Sequence, residues 1–322
     1  MKGRVLGALK VVLAVALLVY LVAGIGPARL ATVLRSFDLR YFALIYGLQV
    51  VDLVLRAANW RALLQTRQVR VPLFETVRHY LVGGFLGSVI PSSLGTDVGR
   101  AYQVAQRHRI TVQDVSLAIV VLNLVGLLAT CLLALVGAAL WVARGGNPAI
   151  LWGIVPIAAG YVALFPFLLG GWIPEHSRPG WPRVERVLAM IGGFSAALRA
   201  FRGDRRAMAT VLGIALLNQF LAVVMVFSTS QALHAGAEFT SFVALVPMMT
   251  LSRLIPASVA GFGAEQGVFV LLCSQAGVPA ATAFLISLTL SLTALTFVLL
   301  GGAIYAIGQA RGLRRPDGGA AE

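Results

Sequence analysis

The segment IPSSLGTDVGR at residues 90–100 places a proline, two glycines and two charged residues inside an apolar stretch. Asp97 and Arg100 are one helical turn apart, so on a helix they share one face and are close enough to form an ion pair. Arginine also suits phosphate, because its planar guanidinium donates two hydrogen bonds at once. The segment therefore predicts either a structural ion pair or one wall of a site for a phosphate-bearing group.

A second segment, LSRLIPASVAGFGAEQGVF, contains Arg253 and Glu265, and a third apolar stretch contains Arg56. Charges at membrane depth cost roughly 2.5–3.5 kcal/mol on insertion scales, so they face protein or water and find partners. Two interpretations stay open. Either the pairs Arg253–Glu265 and Arg56–Asp97 hold the bundle together, or Arg56, Arg100 and Arg253 surround a phosphate headgroup. We expect Arg56, Arg253 and Glu265 to lie deepest.

Both segments contain residues that break helices. Pro91 and Gly95 stand in the first segment, and Pro256, Gly261 and Gly263 stand in the second. Proline lacks an N–H group and blocks helix continuation, whereas glycine permits turns that other residues resist. Backbone groups freed by a break within a membrane must be buried in protein or line a wet cavity. The pattern therefore predicts two broken helices beside a polar cavity.

The composition identifies the setting of these segments. The chain has 322 residues, 59% of them hydrophobic and 12% charged, and a mean hydropathy of +0.88. Soluble domains carry about 25% charged residues. The formal net charge of +14 comes from short loops between apolar runs, where it favours anionic lipid headgroups and membrane orientation over nucleic acid. These features predict an all-α polytopic membrane protein.

The apolar runs predict about six full spans plus two re-entrant hairpins. The expected spans lie near residues 6–25, 41–64, 114–143, 149–170, 207–232 and 280–309, and the two interrupted stretches lie near 76–104 and 240–277. Helical spacing of apolar residues predicts an amphipathic helix within 183–202. The chain is expected to be a single transmembrane domain (1–322), whose first helix is retained rather than cleaved as a signal peptide. Its expected divisions are the first helix with an outer loop (1–40), repeat 1 (41–143), a connector helix with a cytoplasmic amphipathic segment (149–206), repeat 2 (207–309) and a cytoplasmic tail (310–322).

An internal repeat organises the chain. IPSSLG begins at Ile90 and IPASVAG at Ile255, and nearly the same offset relates Gly137 to Gly301 and Gly47 to Gly213. The alternative is similarity that arises from shared membrane composition. A repeat predicts two inverted units of helix, broken re-entrant hairpin and helix, with a binding site where the two breaks meet.

The distribution of arginines predicts the orientation. With six crossings most basic residues fall on one side, so the positive-inside rule places both termini in the cytoplasm. An eight-helix alternative, in which both interrupted stretches cross once, gives the same location for the termini. The expected location is the bacterial inner (cell) membrane.

Other polar residues receive simpler interpretations. Trp60 and Arg61 are expected to be interfacial anchors near the cytoplasmic end. The four histidines show no spacing typical of a metal site and are interpreted as loop or interface residues: His79, His108, His176 and His234. The sequence therefore predicts no catalytic residue, metal or cofactor.

Three motifs carry a family resemblance: RAANWRALL, FLGSVIPSSLGTDVGRAYQV and LSRLIPASVAGFGAEQGVF. With these motifs the chain resembles the lysylphosphatidylglycerol synthase transmembrane region, also called the flippase-like domain family, from about Val5 to Gly308. The resemblance singles out the Pro, Gly and charged residues of the two breaks. Because the soluble aminoacyl-transferring domain of the full synthases is not part of this sequence, it implies the lipid-translocating half rather than lysine transfer.

Three functions compete at this stage. The first is a flippase for a phospholipid, glycolipid or polyprenyl-type lipid, with Asp97 and Glu265 as candidate proton carriers. The second is a membrane-embedded lipid phosphatase, which needs a nucleophile or base beside an arginine clamp. The third is a non-transporting accessory subunit of a glycosyltransferase or lipid enzyme. The expected ligand is a membrane lipid with an anionic or phosphate-bearing headgroup, and no enzymatic activity is predicted.

Overall fold

A computed structural model describes residues 27–89, 95–108, 111–152, 154–170, 182–252 and 264–310, and the regular elements in these ranges are helical. In chain order they are α1 (Pro27–Arg35), α2 (Arg40–Thr66), α3 (Leu73–Val89), α4 (Gly95–His108), α5 (Val112–Ala143), a 3-10 turn (Pro148–Leu151), α6 (Val155–Gly170), α7 (Pro182–Phe201), α8 (Arg205–Ala232), α9 (Phe239–Ser252), α10 (Ala264–Gln275) and α11 (Ala280–Ala310).

Four of these helices are long and apolar enough to cross a bilayer. Helices α2, α5, α8 and α11 contain 27, 32, 28 and 31 residues. A span needs about 20 residues, since each residue adds about 1.5 Å along a helix. Their outer faces expose large apolar side chains such as Phe42, Leu217 and Leu299, as expected for surfaces that contact lipid.

The four long helices predicted from the sequence are present in the structure, with shifted ends. The spans expected near 41–64, 114–143, 207–232 and 280–309 are confirmed as helices, and each interrupted stretch contains two helices. The breaks themselves lie outside the described residues, as do Pro91, Pro256, Gly261, Gly263 and the expected first helix, whereas Gly95 begins α4. Helix α1 was not predicted.

The predicted helix at 149–170 begins later than expected. A short 3-10 turn comes first, and α6 starts only at Val155. Pro156 suits this start, because proline lacks an N–H group and is best accommodated in the first turn of a helix. A second proline, Pro166, stands within α6. The resulting helix has 16 residues and is shorter than the four long spans.

Side-chain caps fix the starts of two long helices. Thr111 accepts a hydrogen bond from the Asp114 backbone N–H at the start of α5. Asp204 accepts one from the Ala207 N–H at the start of α8, at 2.9 Å. A cap of this kind satisfies one of the amides that a helix leaves unpaired in its first turn and typically contributes about 1 kcal/mol.

The predicted amphipathic helix is confirmed as α7, and it packs against the bundle. Its Ser195 hydroxyl donates to the Leu168 carbonyl of α6 at 2.7 Å, and both groups are buried. Leu198 and Phe201 enter the same apolar cluster as Trp60 of α2. The apolar face of α7 is therefore covered by protein in this part of the chain.

Helices α3 and α4 form a hairpin whose outer ends lie together. Glu75 in the first turn of α3 forms an ion pair with Arg107 in the last turn of α4. Arg67 after α2 lies 3.6 Å from Asp114 at the start of α5. The hairpin is therefore entered and left at the end of the bundle where α2 ends and α5 begins.

Helices α9 and α10 form a second hairpin at the opposite end. Glu238, just before α9, pairs with Arg144, just after α5. Ala237 before α9 and Cys273 near the end of α10 belong to one apolar cluster. This hairpin is therefore entered and left at the end where α5 finishes.

The order of helices in the first half recurs in the second. One nearly constant offset along the chain relates α2 to α8 and α5 to α11, at the starts of these helices as well as at their ends. In both halves a two-helix hairpin lies between the long helices, and α2 packs extensively against α8. The described helices thus recur in the same order in the two halves, whereas the inverted repeat itself stays a prediction.

Two glycines allow close helix contacts between the halves. A Cβ atom on Gly301 of α11 would overlap the Leu81 carbonyl group of α3. A Cβ on Gly137 of α5 would overlap the Val243 carbonyl group of α9. The last long helix of each half therefore packs directly on the backbone of the other half's hairpin.

Candidate functional site

A polar cavity of about 410 Å³ lies between the two halves. Its lining comes from described residues of six helices. These are Arg56 and Asn59 (α2), Tyr80 (α3), Asp97 and Arg100 (α4), Leu122, Asn123, Gly126, Leu127 and Thr130 (α5), Ala215, Asn218 and Gln219 (α8), and Thr250 (α9). The volume falls within the range of about 300–1,000 Å³ typical of small-molecule sites. Three of the four long apolar helices contribute polar side chains to it.

Arg100 is the most deeply buried charge of this cavity, with 3% of its side chain exposed. Its guanidinium carbon lies 4.5 Å from the ring centre of Tyr80 and 5.0 Å from that of Trp60. Two aromatic faces therefore hold the guanidinium by cation–π attraction. Its Nε atom is buried and has no hydrogen-bond partner among the described residues, so one donor of this guanidinium is unsatisfied.

Asp97 neutralises Arg100 from within the same helix. Arg100 Nη2 lies 2.8 Å from Asp97 Oδ1, and the Asn123 amide of α5 donates to Asp97 Oδ2 at 2.9 Å. The ion pair that the sequence spacing allowed is confirmed. Asp97 stands in the first turn of α4, where the helix dipole also favours a negative charge.

Arg56 lines the same cavity, but its ion-pair partner is not the one that one interpretation of the sequence suggested. Its Nε lies 2.6 Å from Asp52 Oδ2, one turn earlier on α2. The suggested Arg56–Asp97 pair is therefore wrong, because each residue has a nearer partner of opposite charge on its own helix. Of the two arginines Arg100 is the more buried by protein, since 52% of the Arg56 side chain and 3% of the Arg100 side chain are exposed. The expected order of depth in the membrane stays a prediction.

Amide oxygens complete the polar lining. Asn59 Oδ1 of α2 and Asn218 Oδ1 of α8 are buried and have no hydrogen-bond partner in the described part of the chain. The Gln219 amide donates to the Thr130 hydroxyl, which in turn donates to the Gly126 carbonyl at 3.0 Å. The cavity therefore offers a cationic donor at one wall and unpaired acceptors at others, which suits a group with both charge and hydroxyls.

Two predicted site residues cannot be placed at the cavity. Arg253 lies outside the described residues, and Glu265 belongs to α10 in a part whose side chain is not described. The structure therefore brings together three of the five predicted ligand-binding residues: Arg56, Asp97 and Arg100.

Several residues of the site were missed in the sequence. Trp60 was interpreted as an interfacial anchor, but it is fully buried and stacks against Arg100. The amides of Asn123, Asn218 and Gln219 gave an available signal, because polar residues inside apolar spans usually face a bundle interior. Nothing in local spacing could identify Trp60, because its partner belongs to a different helix far along the chain.

A second cavity of about 300 Å³ lies at the end of α2. Its lining comes from Thr66, Arg67, Gln68, Val69 and Asp114. The Arg67–Asp114 ion pair there is partly exposed, with 33% and 45% of the side chains accessible. Exposed pairs are weakly held and screened, so this cavity is a poorer candidate than the one that contains the buried Arg100.

Comparison with known proteins assigns the chain to a family. The family model described as "Lysylphosphatidylglycerol synthase TM region" matches residues 7–302. The chain is also similar to a protein named UPF0104 membrane protein from Methanothermobacter thermautotrophicus, with 23% identity over 295 residues that cover 84% of this chain and 86% of that protein. No solved structure matches the chain. With its long apolar helices, the chain is a multi-pass membrane protein that belongs to the lysylphosphatidylglycerol synthase TM region family.

Proposed function

We propose that the chain moves a lipid between leaflets by passing a phosphate-bearing headgroup through the polar cavity while the lipid tails stay in the bilayer. The observation that carries this proposal is Arg100, a buried guanidinium whose Nε donates no hydrogen bond to the described residues. A phosphate oxygen is a strong acceptor for such a donor. The unpaired amide oxygens of Asn59 and Asn218 would accept hydrogen bonds from headgroup hydroxyls.

The Asp97–Arg100 pair explains how a charged headgroup is exchanged without stranding a buried charge. Before a lipid enters, Asp97 neutralises Arg100. An arriving phosphate takes over part of the guanidinium, and the Asn123 amide continues to donate to Asp97. Because a buried charge without a partner is strongly unfavourable, replacing one partner with another keeps the barrier to binding and release low.

The architecture that we propose around the cavity is a pair of inverted repeats, each with a re-entrant hairpin. The recurring helix order supports it, and so do hairpins whose outer ends lie at opposite ends of the bundle. Transporters built from inverted repeats place their site where the broken elements of the two units meet. The cavity lies between the halves in the same way, with lining from both.

The orientation that we propose puts the α2–α3 end of the bundle in the cytoplasm. Arg67, Arg70 and Arg107 lie at that end, beside the outer ends of the first hairpin. An excess of arginine in short loops marks the cytoplasmic side. Both termini would then be cytoplasmic, in the bacterial inner membrane.

Transport explains the cavity better than lipid phosphate hydrolysis does. Covalent catalysis needs an activated nucleophile with a base in reach. The described lining carries the hydroxyls of Tyr80, Thr130 and Thr250, and the two threonine hydroxyls donate to the backbone carbonyls of Gly126 and Val246. We propose downhill or ion-coupled movement, with Asp97 and Glu265 as candidate proton carriers, because ionisable residues inside a membrane commonly serve proton relays.

Leaflet exchange in proteoliposomes tests the proposal. We expect the substitution Arg100→Ala to slow the exchange of a fluorescent phosphatidylglycerol at least tenfold, measured by dithionite quenching of the outer leaflet. The matched control is Arg144→Ala, which removes an arginine whose side chain is 57% exposed in a surface ion pair. Exchange by Arg100→Ala at the rate of the Arg144→Ala control would overturn the proposal.

Two additional measurements separate function from folding. The double substitution Asp97→Asn with Arg100→Gln replaces the buried ion pair by neutral amides, so it should preserve the melting temperature but abolish exchange. A phosphate-release assay on the purified protein with a lipid phosphate tests the enzymatic alternative, and release above background would favour it.

A further inference from the structure

A cluster of three metal-ligating side chains lies outside the cavity, at the outer ends of the first hairpin. Glu75 and His79 are one turn apart on α3, and His108 is the last residue of α4. Glu75 Oε1 lies 3.6 Å from His79 Nε2 and 3.5 Å from His108 Nε2. The ligand atoms that these residues offer all lie within 4.8 Å of one another.

The spacing of these atoms suits a tetrahedral metal. Zinc binds histidine nitrogen and carboxylate oxygen at about 2.0–2.2 Å, so ligand atoms at tetrahedral angles are about 3.4 Å apart. The two distances to Glu75 Oε1 differ from that value by only a few tenths of an ångström. All the ligand atoms lie within 4.8 Å of one another, so bringing the three to one ion requires rotation of the side chains.

The ligand atoms are also buried, and the two histidine nitrogens lack partners. Glu75 Oε1, His79 Nε2 and His108 Nε2 are inaccessible to solvent, and the two nitrogens make no hydrogen bond to any described residue. Only 4% of the His79 side chain is exposed. Buried polar atoms normally have partners, and an orphaned one in a native protein calls for an explanation such as an ion.

A supporting hydrogen bond orients His79 toward the cluster. Its Nδ1 lies 3.3 Å from Gln103 Oε1, and the Gln103 amide donates to the Gly99 carbonyl at 3.1 Å. Gln103 is thereby held with its oxygen facing the ring, so that Nδ1 carries the proton and Nε2 presents its lone pair. Histidine ligands of metals usually have a partner of this kind on their other nitrogen.

Arg107 is a competitor for the same carboxylate. Its Nε forms an ion pair with Glu75 Oε1. Because 51% of the Arg107 side chain is exposed, it can leave toward solvent when a divalent cation arrives.

We propose that Glu75, His79 and His108 bind a divalent transition metal of the zinc class, with the fourth position open to water. Two nitrogen ligands and one carboxylate favour such an ion over magnesium or calcium, which prefer all-oxygen sites. The ion would join α3 to α4 at the outer ends of the hairpin that carries Asp97 and Arg100. This proposal does not depend on the transport activity.

Competition between the protein and a chromophoric chelator tests the site. The full chain is purified in detergent, stripped with EDTA and titrated with Zn²⁺, and tetrahedral Co²⁺ absorption reports the geometry. We expect one ion per chain. We expect His79→Ala and His108→Ala each to weaken binding at least a hundredfold, Gln103→Leu to weaken it about 10–100-fold as outer-shell changes do, and Arg107→Ala to strengthen it.

The matched control is His234→Ala, since His234 is exposed in the turn after α8. It should bind Zn²⁺ as the unmodified chain does. Zinc should also raise the melting temperature of the unmodified chain and not that of His108→Ala, which alters a residue at a helix end and keeps the buried His79 in place. Equal affinity of the unmodified chain and His108→Ala would overturn the proposal.

Discussion

At the scale of single residues, Arg100 shows how this protein tolerates a buried charge. Desolvation of a guanidinium costs several kcal/mol. It is offset here by the carboxylate of Asp97 and by the rings of Trp60 and Tyr80. The same arrangement leaves Nε unpaired among the described residues. The guanidinium is thus held in place by three neighbouring side chains, while one of its donors stays unsatisfied.

The unpaired amide oxygens should lower the stability of the protein and support leaflet exchange. Asn59 and Asn218 each bury an acceptor that no described residue satisfies, and such a group costs about 1–3 kcal/mol. We expect Asn59→Leu and Asn218→Leu to keep or raise the melting temperature in detergent, because leucine has a similar size and no unsatisfied atom. Both should lower the rate of leaflet exchange.

The control for this prediction is an amide that has a hydrogen-bond partner. Gln49 of α2 donates to the Thr293 hydroxyl of α11, so Gln49→Leu should lower the melting temperature and leave exchange per folded molecule unchanged. A loss of melting temperature in Asn59→Leu as large as that in Gln49→Leu would mean that Asn59 is paired in the native protein.

Local spacing determined which parts of the site the sequence could predict. Asp97 and Arg100 are neighbours on one helical face, so their pair followed from their interval along the chain. Glu75 and His79 are also one turn apart, and this interval gave a signal that was overlooked. Trp60 joins Arg100 only through the packing of α2 against the first hairpin, which no interval along the chain encodes.

At the scale of elements, the two close helix contacts depend on glycine. Gly301 lies against the backbone of α3 and Gly137 against that of α9. The sequence aligned these two glycines as repeat partners from the offset that they share with the two breaks. It could not assign their contacts, because glycine in an apolar helix is equally compatible with exposure to lipid. Gly47 and Gly213 are of that second kind, since no described atom lies within 4 Å of a Cβ placed there.

Alanine substitutions should therefore change the melting temperature in opposite directions at the two kinds of glycine. Gly301→Ala and Gly137→Ala should lower the melting temperature, since the new Cβ would overlap a backbone carbonyl that cannot move alone. Gly47→Ala and Gly213→Ala should leave it unchanged or raise it, because alanine favours a helix by about 1 kcal/mol over glycine. Equal effects at all four positions would contradict the close packing of α5 and α11.

At the scale of the whole molecule, charge and hairpin geometry point to the same orientation. Arg70 lies in the exposed loop between α2 and α3, whereas Arg144 lies after α5 at the opposite end of the bundle. The sequence predicted these two sides from the arginine distribution and the assumption of re-entrant stretches. Both the re-entrant course of these stretches and the orientation stay predictions. The structure shows that Glu75 pairs with Arg107 at the outer ends of the first hairpin, and that Ala237 and Cys273 share one apolar cluster at those of the second.

Cysteine labelling tests the orientation. In intact cells an impermeant maleimide should label Arg144→Cys, and Arg70→Cys should react only after lysis. The native Cys131 and Cys273 are buried at 1% and 0% exposure, so the unmodified chain serves as an unlabelled control. Labelling of Arg70→Cys in intact cells would reverse the proposed topology.

The contact of Gly301 with α3 also constrains how the protein is made. Leu81 leaves the ribosome long before the helix that must pack against it, because most of the chain lies between them. At a synthesis rate of roughly 5–20 residues per second, this interval lasts about 10–40 s. During that time the first hairpin, with its buried arginine, lacks the helix that finally packs against it. We therefore expect the nascent chain to remain beside the insertion machinery until α11 has been synthesised.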